Sequence, residues 1–437
     1  MNIVLLSGGS GKRLWPLSND VRSKQFIEIF KTPDHGYESM VQRVYRQIKQ
    51  INPDANVTIA TSKAQVSVLH NQLDSEIGIS IEPERKDTFP AIALAMAYLH
   101  DVKKVGLDEP VVVCPVDPYV EEDYFQAIQT LSDLVEKDLA RIVLMGMEPK
   151  GPSEKFGYII PENKNAISRV KYFKEKPDKE TAIEYLEQGA LWNGGVFAFK
   201  LGYILSIIKE HIGYANYADI YANYGTLEKT SFDYAVLEQE KDISVMRFNG
   251  QWKDLGTWNT LTEAMDEQVI GKGIIADGCE NVHIINEMNI PILCVGMDNV
   301  VVSASPEGIL VADKERSTEM KTYVDNISQP IMFAEKSWGK YRVLDVEKDS
   351  MTIKVTLKPG QQMNYHSHKY RNEVWIITAG CGKTIVDGME QEVTVGDVIT
   401  MEAECRHTII AKTELKLVEV QLGKEIHVHD KQKFSLE

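Results

Sequence analysis

Three groups of residues in this chain have types and spacings that could do chemistry. The first is the run Ser7-Gly8-Gly9-Ser10-Gly11-Lys12-Arg13, which follows a short apolar stretch at Ile3 to Leu6. Small residues let a backbone approach a ligand closely, and glycine takes up positive φ at no steric cost. Successive amides in such a loop can cradle phosphate oxygens. Arg13 and, beyond Trp15-Pro16-Leu17, Lys24 are placed to hold a triphosphate. Two familiar phosphate loops are excluded. A Walker loop needs Ser or Thr after its Gly-Lys, and Arg13 follows Lys12. A dinucleotide fingerprint needs GxGxxG, and Gly9-Ser10-Gly11 is followed by Lys12-Arg13-Leu14.

The second group is acidic. Asp117 lies just past the apolar run Val111 to Cys114, and Asp254 lies between Trp252 and Gly256. Magnesium takes such hard oxygen ligands together with phosphates. Taken alone, Asp254 also reads as a turn-capping aspartate, and Glu175-Lys176 before Pro177 as a solvated turn. The third group is Gly360-x5-His366-x-His368-x4-Glu373-x6-Gly380, with His407 further on. In a strand, His366 and His368 point to one face. Three imidazoles and a carboxylate suit zinc or another divalent transition metal.

These residues need elements to position them. Ile3 to Leu6, Val57 to Ala60, Val111 to Cys114 and Ile142 to Met145 read as strands. Ser39 to Ile51, Ala91 to Lys103 and Tyr124 to Asp138 read as amphipathic helices between them. Such alternation predicts an α/β fold with a mainly parallel, Rossmann-like sheet covered on both faces. Ligands then sit beyond the carboxyl ends of the strands, where Ser7-Gly8-Gly9, Pro115-Val116-Asp117 and Gly146-Met147-Glu148-Pro149 are read as loops. Short β runs at Val282 to Ile285, Ile292 to Val295, Val300 to Val302 and Gly308 to Val311 predict a small β linker unit. From about Phe333 alternating runs predict a small antiparallel barrel or double sheet, with Glu373 opening a strand and Arg406-His407-Thr408 as a polar break. The expected division is 1-265, 266-330 and 331-437.

Composition bounds the function. With 48 basic and 64 acidic side chains, the formal net charge is -16. That balance argues against nucleic-acid binding but not against a small phosphorylated substrate. The 5 cysteines are scattered and form no CxxC, which predicts neither a disulfide framework nor a zinc knuckle. The N-terminal run reads as a first strand rather than a leader, and no apolar stretch is long enough to span a bilayer. The expected compartment is the cytoplasm.

The run Ser7 to Leu17, continuing to Ser23-Lys24-Gln25-Phe26, resembles the signature loop of mannose-1-phosphate guanylyltransferases. Further matches follow in order: Glu82-Pro83 with Thr88 and Pro90, Phe156-Gly157-Tyr158-Ile159, Phe173 to Pro177, Trp192-Asn193, Ser231 to Ala235 and Trp252 to Trp258. The resemblance covers roughly residues 1 to 330. Lys12, Ser23, Lys86-Asp87 and Pro118 depart from the family's usual Thr, Pro, Arg-Asn and His. The resemblance implies in-line attack by a sugar 1-phosphate on the α-phosphorus of a nucleoside triphosphate, with magnesium on Asp117 and Asp254. It implies nucleotide contacts from Gly8, Gly9, Ser10, Gly11, Arg13, Lys24 and Lys86. It implies sugar contacts from Gly157, Glu175, Lys176 and Asn193, with Lys176 on the sugar phosphate, and a homodimer. Arg13, Lys24, Asp117, Lys176 and Asp254 are the expected catalytic set.

The histidine constellation resembles the first cupin motif at full spacing. Of the second cupin motif only Gly396 and His407 persist, because Glu402, Glu404 and Ala411 replace its Pro, Gly and Asn. Ser337 to Tyr341 and Lys358-Pro359-Gly360 are similar to the opening of a type II phosphomannose isomerase domain, which implies a second, metal-dependent isomerase activity. His366, His368, Glu373 and His407 are the expected ligands. Transfer to a glucose- or heptose-type 1-phosphate, with a cupin that does not isomerise, and a sugar-nucleotide-binding regulator are the alternative readings.

Overall fold

The computed structural model describes residues 1–9, 11–73, 76–424, 426 and 430–435. Its largest sheet has nine strands, in the order Gly78–Glu82, Asn56–Ser62, Asn2–Leu6, Pro110–Pro115, Leu191–Lys200, Ile142–Met147, Ile243–Phe248, Ile167–Lys174, Tyr158–Pro161. Leu191–Lys200 and Ile167–Lys174 run against the other seven, so the sheet is mainly parallel, as expected. Its strands read as unbroken apolar runs because both faces are covered. Ile3, Leu5, Val112 and Cys114 pack into one core with helices Met40–Ile51 and Glu122–Glu136. The intervening Val4, Val111 and Val113 face a second core with helices Thr88–Asp101 and Leu201–Ile212. This period-two division is what a pleated strand between two layers demands.

The chain then forms a small stack of strands. Val269–Gly271, His283–Asn286 and Val300–Ser305 pair in parallel, and Gly308–Asp313 closes the edge antiparallel. Gly273–Ile275 and Ile292–Cys294 form a parallel pair alongside. The C-terminal part is all antiparallel, with sheets of six and five strands. Their inner faces bury Leu357, Trp375, Ile409 and Leu417.

Three local expectations are corrected. His407 opens the strand His407–Ala411 instead of interrupting one, because its ring turns inward and is only 2% exposed. Glu373 is the third residue of the strand Arg371–Ala379, not its first. Gly146 and Met147 complete a strand whose six residues are all buried, so the loop there begins at Glu148. No helix among the described residues is long and apolar enough to cross a membrane. All five cysteines are free.

Candidate functional sites

At the carboxyl end of Asn2–Leu6 the chain turns through Gly8 and Gly9, and Gly9 has φ 124°, a conformation open to glycine. The loop is tied to the segment that follows it. Ser23 donates to the Gly9 carbonyl at 3.2 Å, and Gln25 donates to the Ser7 carbonyl at 3.2 Å. Gln65 donates to Ser23 Oγ at 2.5 Å while accepting from Thr61 at 2.7 Å. Ser23, a departure from the family pattern, thus carries a buried hydroxyl relay. Ser10 lies outside the described residues.

Asp117 and Asp254 are distant in sequence but adjacent in space. Pro118–Val120 and Trp252–Asp254 form a two-stranded antiparallel ribbon in which Asp254 faces Pro118. Lys24 Nζ lies 2.8 Å from Asp117 Oδ2 and 3.5 Å from Asp254 Oδ1. One ammonium therefore joins two carboxylates, which are 39% and 47% exposed. Lysine, a flexible point charge, can yield such a place to a divalent cation.

Asp254, Arg13 and Lys176 border a cleft of about 1050 Å³. Its aromatic wall is Phe156 between Trp192 and Trp252, with centroids 4.6 and 5.5 Å away. A cleft of that size accommodates a small-molecule ligand. Behind Lys176, Glu175 is buried and takes a 2.5 Å bond from Lys176 Nζ. Lys176 has φ 44°, a strained conformation for lysine of the kind that concentrates at functional sites. Asn193 N donates to the Gly157 carbonyl at 2.8 Å. A Cβ at Gly157 would come within 2.4 Å of Glu175 Oε2, so glycine is required for this approach.

Lys86 has protein partners of its own. It donates to the carbonyls of Gly225, at 2.8 Å, and Leu227, and lies 3.4 Å from Glu84. These contacts make it a brace on the Gly225–Leu227 segment.

The barrel holds the other site. His366, His368, Glu373 and His407 are all buried, and one ligand atom from each lies within 4.8 Å of the others. Each imidazole has its Nδ1 on a backbone carbonyl: Asn364 at 2.6 Å, Asp430 at 2.8 Å and Cys405 at 3.0 Å. A carbonyl can only accept, so Nδ1 carries the proton and each Nε2 presents its lone pair, the usual arrangement of metal-binding histidines. Burial, helped by Lys431, drives the His366 pKa down to about 2.

His407 Nε2 and Glu373 Oε2 approach to 3.2 Å, a salt bridge only if that ring is protonated. With neutral imidazole both are buried acceptors lacking a hydrogen-bond donor. Orphaned acceptors of this kind are rare and costly. A cation would satisfy both, so the residues fit a metal.

Residues 2–269 match the family model for nucleotidyl transferase, more than half of the chain. The chain belongs to the nucleotidyl transferase family. Residues 327–435 match the family model for mannose-6-phosphate isomerase C-terminal. The xanthan biosynthesis protein XanB of Xanthomonas campestris pv. campestris (strain B100) is 28% identical, over 96% of this chain and 95% of its own. A mannose-1-phosphate guanylyltransferase of Salmonella montevideo is also 28% identical, over 99% and 98%. A crystal structure titled mannose-1-phosphate geranyltransferase, from Thermus thermophilus, superposes with TM-score 0.60 and 26% identity, covering 74% of this chain and 98% of that one.

Membership implies a nucleoside triphosphate and a sugar phosphate as substrates of this nucleotidyl transferase. Three residues that the spacing does not assign contact the candidate site residues. Asp233 accepts from Asn193 Nδ2 at 2.7 Å, and burial, then the nearby Glu175, pushes its pKa up to about 7. Its only signal was the Ser231 to Ala235 match. Arg371 donates to His368 Nε2 at 3.1 Å and to Glu373 at 3.2 Å. Asp430 fixes the His368 ring through its carbonyl, and its carboxylate accepts from the Lys369 and Tyr370 amides at 2.9 and 3.2 Å. Nothing local in the sequence marks Asp430 as part of the barrel site.

Proposed function

We propose that this nucleotidyl transferase makes GDP-mannose and pyrophosphate from GTP and mannose 1-phosphate, with residues 1–265 carrying the reaction. An oxygen of the sugar phosphate attacks the α-phosphorus, and the bond from that phosphorus to the bridging oxygen breaks as pyrophosphate leaves. The observation that carries this reading is the pair Asp117 and Asp254, joined by Lys24 at the edge of the cleft. These carboxylates would hold magnesium, which when bound neutralises phosphate charge. Gly8, Gly9, Ser10 and Gly11 present amides to the triphosphate, and Arg13 and Lys24 add charge. Lys176 holds the sugar phosphate, while Gly157, Glu175 and Asn193 orient the sugar ring. Positioning and charge neutralisation then lower the barrier without a covalent intermediate.

The assay that decides it pairs each common nucleoside triphosphate with mannose, glucose and heptose 1-phosphates in magnesium and follows pyrophosphate. The highest kcat/KM is expected for GTP with mannose 1-phosphate. A different preferred pair would reassign the substrates, and no release with any pair would reject the reading.

The buried ligand set favours a second activity in residues 331–437, interconversion of fructose 6-phosphate and mannose 6-phosphate. A zinc or other divalent transition-metal ion on His366, His368, Glu373 and His407 would polarise the sugar carbonyl when bound. Residues 266–330 form the β unit between the two activities.

A further inference from the structure

The segment that carries the nucleotide loop is anchored from outside its own sheet. Asn19 closes the turn ahead of Ser23 and Lys24. Its Oδ1 accepts from the amides of Val21 and Arg22 at 2.9 and 2.7 Å. Its Nδ2 reaches the β unit and the barrel, donating to Glu307 Oε1 at 2.8 Å and to the Phe333 carbonyl at 2.9 Å. Glu307 is buried, and the same oxygen accepts from the amides of Met332 and Phe333 at 3.0 and 3.1 Å. Two neighbours in the same hairpin reinforce the contact. Ser305 Oγ donates to the Pro16 carbonyl at 2.6 Å, and Gly308, at φ 148°, lies against the Trp15 ring. A Cβ at Gly308 would come within 2.4 Å of that ring. Arg22 adds an ion pair to Glu287 at 2.8 Å.

These contacts converge on residues 15–22, immediately before the two side chains that set the site. Ser23 holds the Gly9 carbonyl, and Lys24 sits between Asp117 and Asp254. A buried carboxylate that satisfies four donors from two parts of the chain, Asn19 on one side and Gln329, Met332 and Phe333 on the other, fixes their relative position, because losing it leaves those donors unpaired.

We infer that Glu307 is a positioning residue for nucleotidyl transfer, acting through Asn19 to hold the glycine loop and Lys24 in the geometry that takes the triphosphate. The hairpin between Val300–Ser305 and Gly308–Asp313 is thus part of the transferase site, not a passive spacer. The inference rests on residues 7–24 binding the triphosphate, as proposed above.

The test uses the full-length chain. Glu307→Ala should raise the nucleoside triphosphate KM about tenfold, the scale of one lost charge-assisted hydrogen bond. The sugar-phosphate KM should stay within about twofold, because Glu175 and Asn193 lie on other elements. Glu307→Gln, which keeps an acceptor oxygen at the same reach, should restore most of the loss. Ser305→Ala should shift the same constant in the same direction by a smaller factor, and it serves if Glu307→Ala fails to fold.

Equilibrium dialysis with radiolabelled GTP, run on the same proteins, separates this inference from the assigned reaction. Weaker GTP binding in the variants supports the strut even if no sugar phosphate is turned over. Unchanged binding and KM, equal changes in both substrates' KM, or no rescue by glutamine would overturn it.

Discussion

The two candidate sites both gather carboxylates and basic groups, yet they are built in opposite ways. Beside the cleft, Asp117 and Asp254 are partly exposed and linked by a single flexible lysine. In the barrel, Glu373 and three histidines are each about 2% exposed, and every ring is oriented by a carbonyl. An open carboxylate pair with an exchangeable counter-charge suits a magnesium ion that arrives with a triphosphate and leaves with pyrophosphate. A closed set with fixed imidazole orientation suits an ion that stays through purification. Exposure and the support of each ligand, more than its residue type, distinguish the two sites.

The sharpest way to break this comparison is at the open site. Asp254→Asn and Asp117→Asn should each lower kcat/KM for pyrophosphate release by about a hundredfold or more, with the melting temperature little changed, because exposed ligands carry little folding energy. Near-normal turnover of either variant at saturating magnesium would remove that carboxylate from the metal site.

The closed site should respond differently. Purified protein is expected to retain a divalent metal through dialysis, and a His366→Ala, His368→Ala double variant should lose it and any hexose-phosphate isomerisation. Its pyrophosphate release should stay within about twofold, since the transferase sheet has its own cores. Elemental analysis and both assays on one preparation read all three quantities. Isomerisation by metal-free wild-type protein would exclude the metal from that chemistry.

A smaller effect is expected at the sugar end. Glu175→Gln should raise the sugar-phosphate KM about tenfold and leave the triphosphate KM unchanged, the scale of one hydrogen bond to a charged group. Equal shifts would place Glu175 outside the sugar contacts.

The smallest effect concerns Asp233, whose pKa is raised to about 7 by burial and by Glu175. The folded state then holds a proton that the unfolded state releases near 4. This contribution to stability is fully present at low pH and is lost as pH rises through about 4 to 7. Wild-type protein should therefore lose stability relative to Asp233→Asn across that window. Melting curves of both proteins at pH 5 and pH 7.5 check it, and a constant difference between them would mean that Asp233 is already charged at pH 5.

Much was legible in the sequence because it is recorded locally. Unbroken apolar runs at residues 3–6 and 111–114 predict strands covered on both faces, since each must meet helices above and below. The His366-x-His368 spacing predicts a shared face from strand geometry alone. The glycine loop is marked by residue types that let a backbone approach phosphate. Other features depend on pairing across the chain. Only the antiparallel ribbon brings Asp254 beside Asp117, and only the sheet register of the barrel turns His407 inward toward Glu373. Lys86 could not be known as a brace until the Gly225–Leu227 carbonyls were placed around it. Asp430 and Glu307 carry no local signal, because each acts on residues that folding brings to it from far along the chain. Local sequence sets backbone preference and side-chain chemistry, whereas the distances that turn those side chains into sites come from long-range packing.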